Sequence, residues 1–575
     1  MNEQNYTTGN PEQPSNPPVY EQTPPNFYYP PQTEPYPPYQ QGPYYNAAGY
    51  KPVKQKQKMQ LDQRDWIFAG LSFLLSLLGV ICGLWGHFYL GFTVSFVLLF
   101  FVLSAYLGKG AKFPGITASL CGICSLALSA VFFCTTEKSV RFFSVILLPC
   151  LSSVWFAGLT GRRIAKKDLG LIAFLFSLFA GSISMVPGSI AALFSAKNRK
   201  SKFISKIIIG VLCAVPVLFA VIPLLRSSDE AFSNLLGRMF TNMGELAAQI
   251  ILSLLIAPLL TGYAFYLRKK PPEAERIHDF KGVDTTILTT ALSVLSVCYL
   301  VYLFSQLAYF FSGFLGILPE GYGFSHAEYA RRGFFELCAI AGINLAVLFA
   351  VLLLSRKTND KPPMVLRLLA TFISLFNLLL IGTALSKLIL YIRAYGMTVL
   401  RITTSAFAVF MAFVFVAMLL RYYLPKIRVL SAALPAAACV LVILGVGNVN
   451  RLVANYNYQL YRSNSQYQID VRYFGELGAE GAAILTRLAE DENENVAKEA
   501  QITLYYALQD QYRTELHEQT FNDYFTMEAR RYLKFSEFCI PRWKMYKETD
   551  AFLAAHPDFE KEAAELDYGE WQAEE

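Results

Sequence analysis

The chain reads as an all-α polytopic transmembrane helix bundle of about 11 spans, with one re-entrant or interfacial segment and a small helical extracytoplasmic C-terminal domain. Three observations lead there. Hydrophobic residues make up 54% and charged residues only 16% of the 575 positions, against about a quarter charged in ordinary soluble domains. Between Trp66 and Gly447 apolar blocks of roughly twenty residues recur, each long enough to cross a hydrocarbon core of about 30 Å as a helix. From Asn448 onward the composition turns polar, with 24 acidic and 13 basic side chains. The formal charge of +7 averages these unlike regions, so it points to no nucleic-acid partner.

Residues 1–58 are dominated by Pro, Tyr, Gln and Asn and lack the aliphatic side chains that would offset the entropy of ordering, so they read as a disordered cytoplasmic tail. "PPVY" and "PPYQ" suit an aromatic groove on a cytoplasmic partner if they adopt polyproline II. The first fifty residues hold no apolar core of a cleavable signal, so the first span is expected to serve as an internal signal anchor. Residues 59–160 form a four-span module, 66–86, 88–107, 114–134 and 142–160. Residues 161–205 hold basic loops around the apolar stretch 168–194. Residues 206–447 form a seven-span core, 206–225, 246–267, 284–311, 334–354, 366–390, 402–420 and 430–447. Residues 448–575 are the acidic helical domain.

Orientation follows from Lys and Arg in short loops, which stay on the cytoplasmic side. Lys51, Lys54, Lys56, Lys58 and Arg64 precede the first span, Lys109 and Lys112 follow the second, and Arg162, Arg163, Lys166 and Lys167 follow the fourth. Later, 268–270, 355–361 and 421–428 are basic, whereas 226–245, 312–333 and 391–401 are less so and face outward. Basic residues flank 168–194 on both sides, and Gly181, Pro187 and Gly188 interrupt it. A re-entrant or interfacial pair of short helices keeps both flanks inside; a true span with one exceptional loop is the alternative. The first choice puts the N-terminus in the cytoplasm and the C-terminal domain outside the cell. There, 479–509 reads as two helices joined by "EDENEN", and 450–462 continues from the last span along the membrane surface.

Chemistry-bearing residues concentrate at the entry to the eighth span. Ser325 and Glu328 match a capping box, and Glu328, Arg332 and Glu336 follow at intervals of four on one helix face. A carboxylate entering hydrocarbon must be paired or wetted. Lys387, Arg393 and Arg401, with Tyr395, lie around the other outward turn, where cations run against the charge rule. The expected cluster is therefore Glu320, Glu328, Arg331, Arg332, Glu336, Lys387, Arg393, Tyr395 and Arg401, extended by Gln306, Asn377, Asp229 and Glu230. It reads as a lock between helices, with a ligand site or an ion path as alternatives. His87 and His326 read as interfacial and first-turn residues rather than metal ligands. "CGIC" (Cys121 to Cys124) reads as small packing residues, because it lies inside an apolar span. Cys539 stands alone in the C-terminal part.

Three strings, "LLRSSDEAFSNLLG", "LPEGYGFSHAEYARRGFFEL" and "YIRAYGMTVLRI", resemble bacterial polytopic membrane proteins grouped as domains of unknown function, the group numbered 4173 and its neighbour 4153. The likeness covers roughly residues 160 to 480. It implies a membrane-embedded domain without an assigned activity, to which the first four spans and the tail are an addition.

No Walker-type loop, H-E-x-x-H or G-x-S-x-G occurs, so soluble catalytic classes are disfavoured and neither a cofactor nor a metal is expected. An envelope scaffold or sensor ranks first. Its expected partners are membrane lipids and an envelope protein or glycan at the outer domain. A transporter of a small solute or lipid, using Gln306, Asn344 and Asn377, is the alternative. A membrane enzyme acting on a lipid-linked envelope substrate is the third reading.

Overall fold

The first span begins with two carboxylates that cap each other. The Asp62 backbone N–H donates to Asp65 Oδ2 at 2.9 Å and the Asp65 N–H donates to Asp62 Oδ1 at 3.0 Å, satisfying donors that a helix start leaves open. In this computed structural model, residues 61–108, 114–162, 170–194, 210, 217, 221, 243–269, 283–315, 334–355, 361–464, 466–516, 537–559 and 561–566 are described. The tail 1–58, nearly all of the expected span 206–225, and the loops 226–242 and 316–333 lie outside the described residues.

The described chain is helical, without a β-strand. Its helices are α1 (Gln63–Val80, prolonged by a π turn Ile81–Trp85), α2 (Leu90–Gly108), α3 (Ile116–Ser129), α4 (Val131–Cys134), α5 (Lys138–Leu159), α6 (Gly170–Phe194) and α7 (Met243–Lys269). Then come α8 (Thr285–Leu315), α9 (Phe334–Leu354), α10 (Met364–Tyr395), α11 (Val399–Tyr423) and α12 (Val429–Val446). The C-terminal helices are α13 (Val449–Ser463), α14 (Val471–Glu476), α15 (Ala479–Leu488), α16 (Glu494–Leu516) and α17 (Ile540–Ala555). Ten stretches among the described residues are long and apolar enough to cross a membrane, and α9 adds the shorter apolar stretch Ala339–Leu354.

Among the described residues, packing gathers these helices around three large cores, with two small satellite clusters along α10. One joins α1 to α7 with α12, a second joins α8 to α11, and a third holds α13 to α17. Helix α12 packs on α3 and α5 on one side and α11 on the other, linking the first two. Lipid tails are as apolar as leucine, so membrane helices associate through close approach and hydrogen bonds rather than hydrophobic burial. The polar links are present. Ser72 and Thr261 hydroxyls meet at 2.7 Å between α1 and α7, Tyr263 donates to Ser153 at 3.0 Å between α7 and α5, and Tyr422 donates to the Leu348 carbonyl at 2.7 Å between α11 and α9.

The segment 168–194 departs from the expected pair of short helices. It forms one helix, α6, of which Leu171–Ile190 alone suffices to span. The residues read as breaks are partly packing devices. Gly181 lies under the Tyr266 ring, and a Cβ on Gly262 would sit 2.7 Å from the Ser182 carbonyl oxygen. The two helices therefore run antiparallel at close range, and proline inside an apolar span is tolerated because neighbouring helices support it.

Two opposite ends of the bundle follow from the contacts. At one end, Arg268 on α7 grips Asp62 through Nη1 at 3.0 Å and Nη2 at 2.7 Å. It also pairs with Asp65, as does Lys269, and Tyr106 of α2 donates to Asp65 Oδ1 at 2.7 Å. Arg162, just beyond α5, donates to the Tyr266 carbonyl at 2.7 Å at the same end. At the other end sit the starts of α2, α5 and α11 and the C-terminal helices.

Asp65 is wholly buried, whereas the Asp62 side chain is half exposed. Breaking a buried pair leaves an uncompensated charge and costs about 3–5 kcal/mol; losing a half-exposed cap costs about 1 kcal/mol. Asp65→Ala should therefore lower stability in detergent several times more than Asp62→Ala, as read from denaturant titration of the purified protein.

Candidate functional site

The turn between α10 and α11 is built by residues 396–398. Gly396 has φ +75°, a conformation open to glycine at little cost, and it ends a helix whose last carbonyls need donors. Arg401 supplies them: its Nη1 donates to the Tyr395 carbonyl at 3.3 Å and to the Gly396 carbonyl. The guanidinium lies 4.0 Å from the Tyr391 ring centroid, a favourable cation–π placement. Thr398 caps α11 by accepting from the Arg401 N–H at 3.3 Å.

The C-terminal helices close on this turn. Asn457 of α13, nearly buried, accepts from the Met397 N–H at 2.7 Å and donates to the Met397 carbonyl at 2.8 Å. The Val399 N–H donates to the Tyr473 hydroxyl at 2.9 Å. Gly396 lies so close to Tyr467 and Asn457 that an added Cβ would meet both. The expected surface helix 450–462 is thus α13, with Val449, Val453 and Ala454 buried in the C-terminal core. The expected pair around "EDENEN" is α15 and α16, packed with α14 and α17.

Two more contacts join the same domain to the bundle. The Leu90 N–H at the start of α2 donates to the Phe538 carbonyl at 3.1 Å. Beside it Tyr89 is contacted by the Arg141 guanidinium at 4.4 Å and the Arg542 guanidinium at 4.9 Å. Arg141 also donates to the carbonyls of His87 and Phe88, two residues held at positive φ. Next to α5, Thr136 donates to Glu480 Oε2 at 3.0 Å, and Asn448 Nδ2 donates to the Cys134 carbonyl at 3.3 Å. Burial pushes the Glu480 carboxyl up and the Cys539 thiol up to about 12, because both lose water that would solvate their charged forms.

Of the residues expected to form the polar cluster, Glu320, Glu328, Arg331 and Arg332 lie outside the described residues. Glu336 belongs to α9, but its side chain is likewise outside them. Lys387 is half-buried on α10, Arg393 and Tyr395 are exposed, and Arg401 is half-buried. Arg401 and the Tyr395 carbonyl are brought together; the use of Arg401 is to close its own turn. His87 is exposed. Asn344 and Asn377 do meet, with Asn344 Nδ2 donating to Asn377 Oδ1 at 3.1 Å. Tyr299 donates to Asn344 Oδ1 at 2.5 Å and Asn377 Nδ2 to the Ile373 carbonyl at 2.7 Å, so the amides chiefly serve one another and link α8, α9 and α10. An apolar cleft between α9, α10 and α11 is lined by Leu337, Ala341, Leu380, Ala384, Phe407 and Met411.

Among the described residues no cluster of three or more His, Cys, Asp or Glu is placed to hold a metal ion. Cys121 is buried, and Cys124 meets Cys439 of α12. Sequence reasoning missed the Asp65 lock and the Asn457 clasp. The first carried a signal, D-x-x-D directly before an apolar run; the second carried none, because asparagine in a polar helix has many uses.

A long apolar bundle topped by docked helices defines an integral, multi-pass membrane protein. The family described as Domain of unknown function (DUF4153) matches residues 122–488, and the chain belongs to that family. The match begins within α3, earlier than the resemblance near residue 160, so α5 and most of α3 lie in the family region rather than in an addition to it. No curated protein and no solved structure matches the chain. The matched region contains Thr136, Gly396, Asn448, Asn457, Tyr473 and Glu480, so both sides of the clasp fall within it.

Asn457→Ala should leave the Met397 N–H and carbonyl without their partners, at about 1–3 kcal/mol. Gly396→Ala should combine a strained φ with a clash. Both variants are expected to exchange the amides of 397–399 with deuterium faster than wild type, while the amides of α1 and α7 stay unchanged. In the bundle interior, Asn344→Leu and Asn377→Leu together should destabilise the protein by less than the sum of the two single changes, because each single change strands the other amide, as a double-mutant cycle would measure.

Proposed function

We propose that the protein is an envelope scaffold or sensor in the bacterial cytoplasmic membrane, with a cytoplasmic N-terminus and a C-terminal helical domain that captures an envelope protein or glycan outside. The observation that carries this reading is the clasp of Asn457 and Tyr473 on the backbone of Met397 and Val399. A domain held by main-chain hydrogen bonds to the turn between two spans can pass a load or a displacement to α10 and α11, which a tethered but unattached domain cannot. The basic residues Arg64, Arg162, Arg268 and Lys269 gather at the end opposite that domain, as cytoplasmic retention of positive charge favours. The cluster of Glu320, Glu328, Arg331, Arg332, Glu336, Lys387, Arg393, Tyr395 and Arg401 is part of the proposal, lying on the outward side, where acidic residues at the head of α9 neutralise cations of α10.

The mutual bonding of Asn344 and Asn377 favours a lock over a solute path, which places transport second; an enzyme acting on a lipid-linked substrate comes third. Photo-crosslinking residues introduced at Tyr506 and Trp543, both half exposed, should yield discrete adducts with an envelope component in intact cells. Absence of any adduct from either position would count against capture. Solute flux in proteoliposomes that disappears with Asn344→Leu in folded protein would favour transport, and turnover of a lipid-linked glycan by purified protein would favour the enzyme.

A further inference from the structure

The joint between bundle and domain contains one acidic group whose surroundings differ from those of every other described carboxylate in it. Glu480 stands in the first turn of α15 and is 6% exposed. Its Oε2 accepts from Thr136 at 3.0 Å with the Asn448 side chain beside it, while its Oε1 is buried without a hydrogen-bond partner. Asn448 is the left-handed residue, φ 51°, at which the chain passes from α12 into α13. Three segments of the joint therefore converge on this carboxyl: the connection before α5, the hinge after the last span, and the domain.

The titratable and charged groups around it supply no compensation. Glu137, the cap of α5, adds negative charge, and Cys539 at the head of α17 is a buried neutral thiol. Arg141 and Arg542 act on Cys539, with their guanidiniums over Tyr89. Among the described residues no cation forms an ion pair with Glu480. An ionised carboxylate in such a place is costly, and a neutral one is not.

We propose that Glu480 is a proton-binding site that sets how firmly the C-terminal helices seat on the membrane bundle. Bound to a proton, it is a neutral acid in a buried joint; on losing the proton it becomes a buried charge met only by neutral donors, which loosens the contact at Asn448. The direction follows from linkage. Burial holds the carboxyl above the ordinary glutamate value of 4.5, so the seated state is favoured at low pH, and that preference is lost as the pH rises through the raised value. This deepens the sensing reading by naming the proton as one of its inputs.

The test uses the full chain in lipid nanodiscs and follows hydrogen exchange of the peptide spanning residues 396–402, whose Met397 and Val399 amides bond to the domain. After correction for intrinsic exchange, wild-type protection should fall progressively as the pH is raised from 4 to 8. Glu480→Gln, which cannot ionise, should keep the low-pH protection throughout. Thr136→Val keeps the carboxyl but removes its donor, so its transition should move to higher pH. A flat wild-type profile, a Glu480→Gln profile that still follows pH, or an unmoved Thr136→Val transition would each overturn the proposal. No envelope ligand is involved, so such a result leaves the capture reading standing for its own test.

Discussion

A polar atom inside an apolar bundle has no water to turn to, and the placement of nearly every polar side chain described here follows from that constraint. Asp65 is fully buried, yet it is met by Arg268, Lys269 and the Tyr106 hydroxyl. Asn344 and Asn377 are fully buried too, and they spend their amides on each other, on Tyr299 and on a helix carbonyl. Serine and threonine hydroxyls along the spans donate back to carbonyls three or four residues earlier, as Ser125, Ser144 and Thr261 do. The same rule makes Glu480 conspicuous, because half of its carboxylate is left without a partner.

Where polar groups are scarce, small residues take over. Gly262 lets α7 approach the backbone of α6, and Gly122 lets α3 lie against the Trp155 ring of α5. Trp155 in turn donates to Ser104 of α2 at 3.0 Å and lies 5.9 Å from the Phe100 ring, nearly parallel to it. Tight approach of this kind adds van der Waals contact that lipid tails cannot match in fixed geometry. It also explains why helix breakers on paper can lie inside continuous helices: in α6, Gly181 answers to Tyr266 rather than to a turn.

The C-terminal domain obeys a different balance. Its core of Val453, Phe474, Leu485, Leu488, Leu504 and Met545 is that of a small soluble bundle, held by apolar burial. Its attachment to the membrane part relies instead on backbone groups at Met397, Val399 and Leu90. Those groups lie at the ends of spans, where helices leave donors and acceptors open. The domain therefore satisfies the bundle's unpaired ends while the bundle fixes the domain's position, and a change at one side of the contact is felt on the other.

Much of this was legible in the chain itself. Runs of apolar residues bounded by Lys, Arg, Gly and Pro determined the spans at 66–86, 88–107, 246–267, 366–390 and 402–420 to within a few residues, because a bilayer demands length and apolarity before anything else. The turn "EDENEN" likewise announced the α15 and α16 pair through its polarity. The site was legible only in part. Arg401 and Tyr395 drew notice as a cation and an aromatic out of place, but local sequence could not say that the arginine would close its own turn. Residues as far apart as Gly396 and Asn457, Thr136 and Glu480, or Asp65 and Arg268 meet only because helices return to the same end of the bundle. Hydropathy reports whether a segment crosses; which neighbours it meets is decided by side-chain fit over the whole bundle, and that information resides in no single stretch of residues.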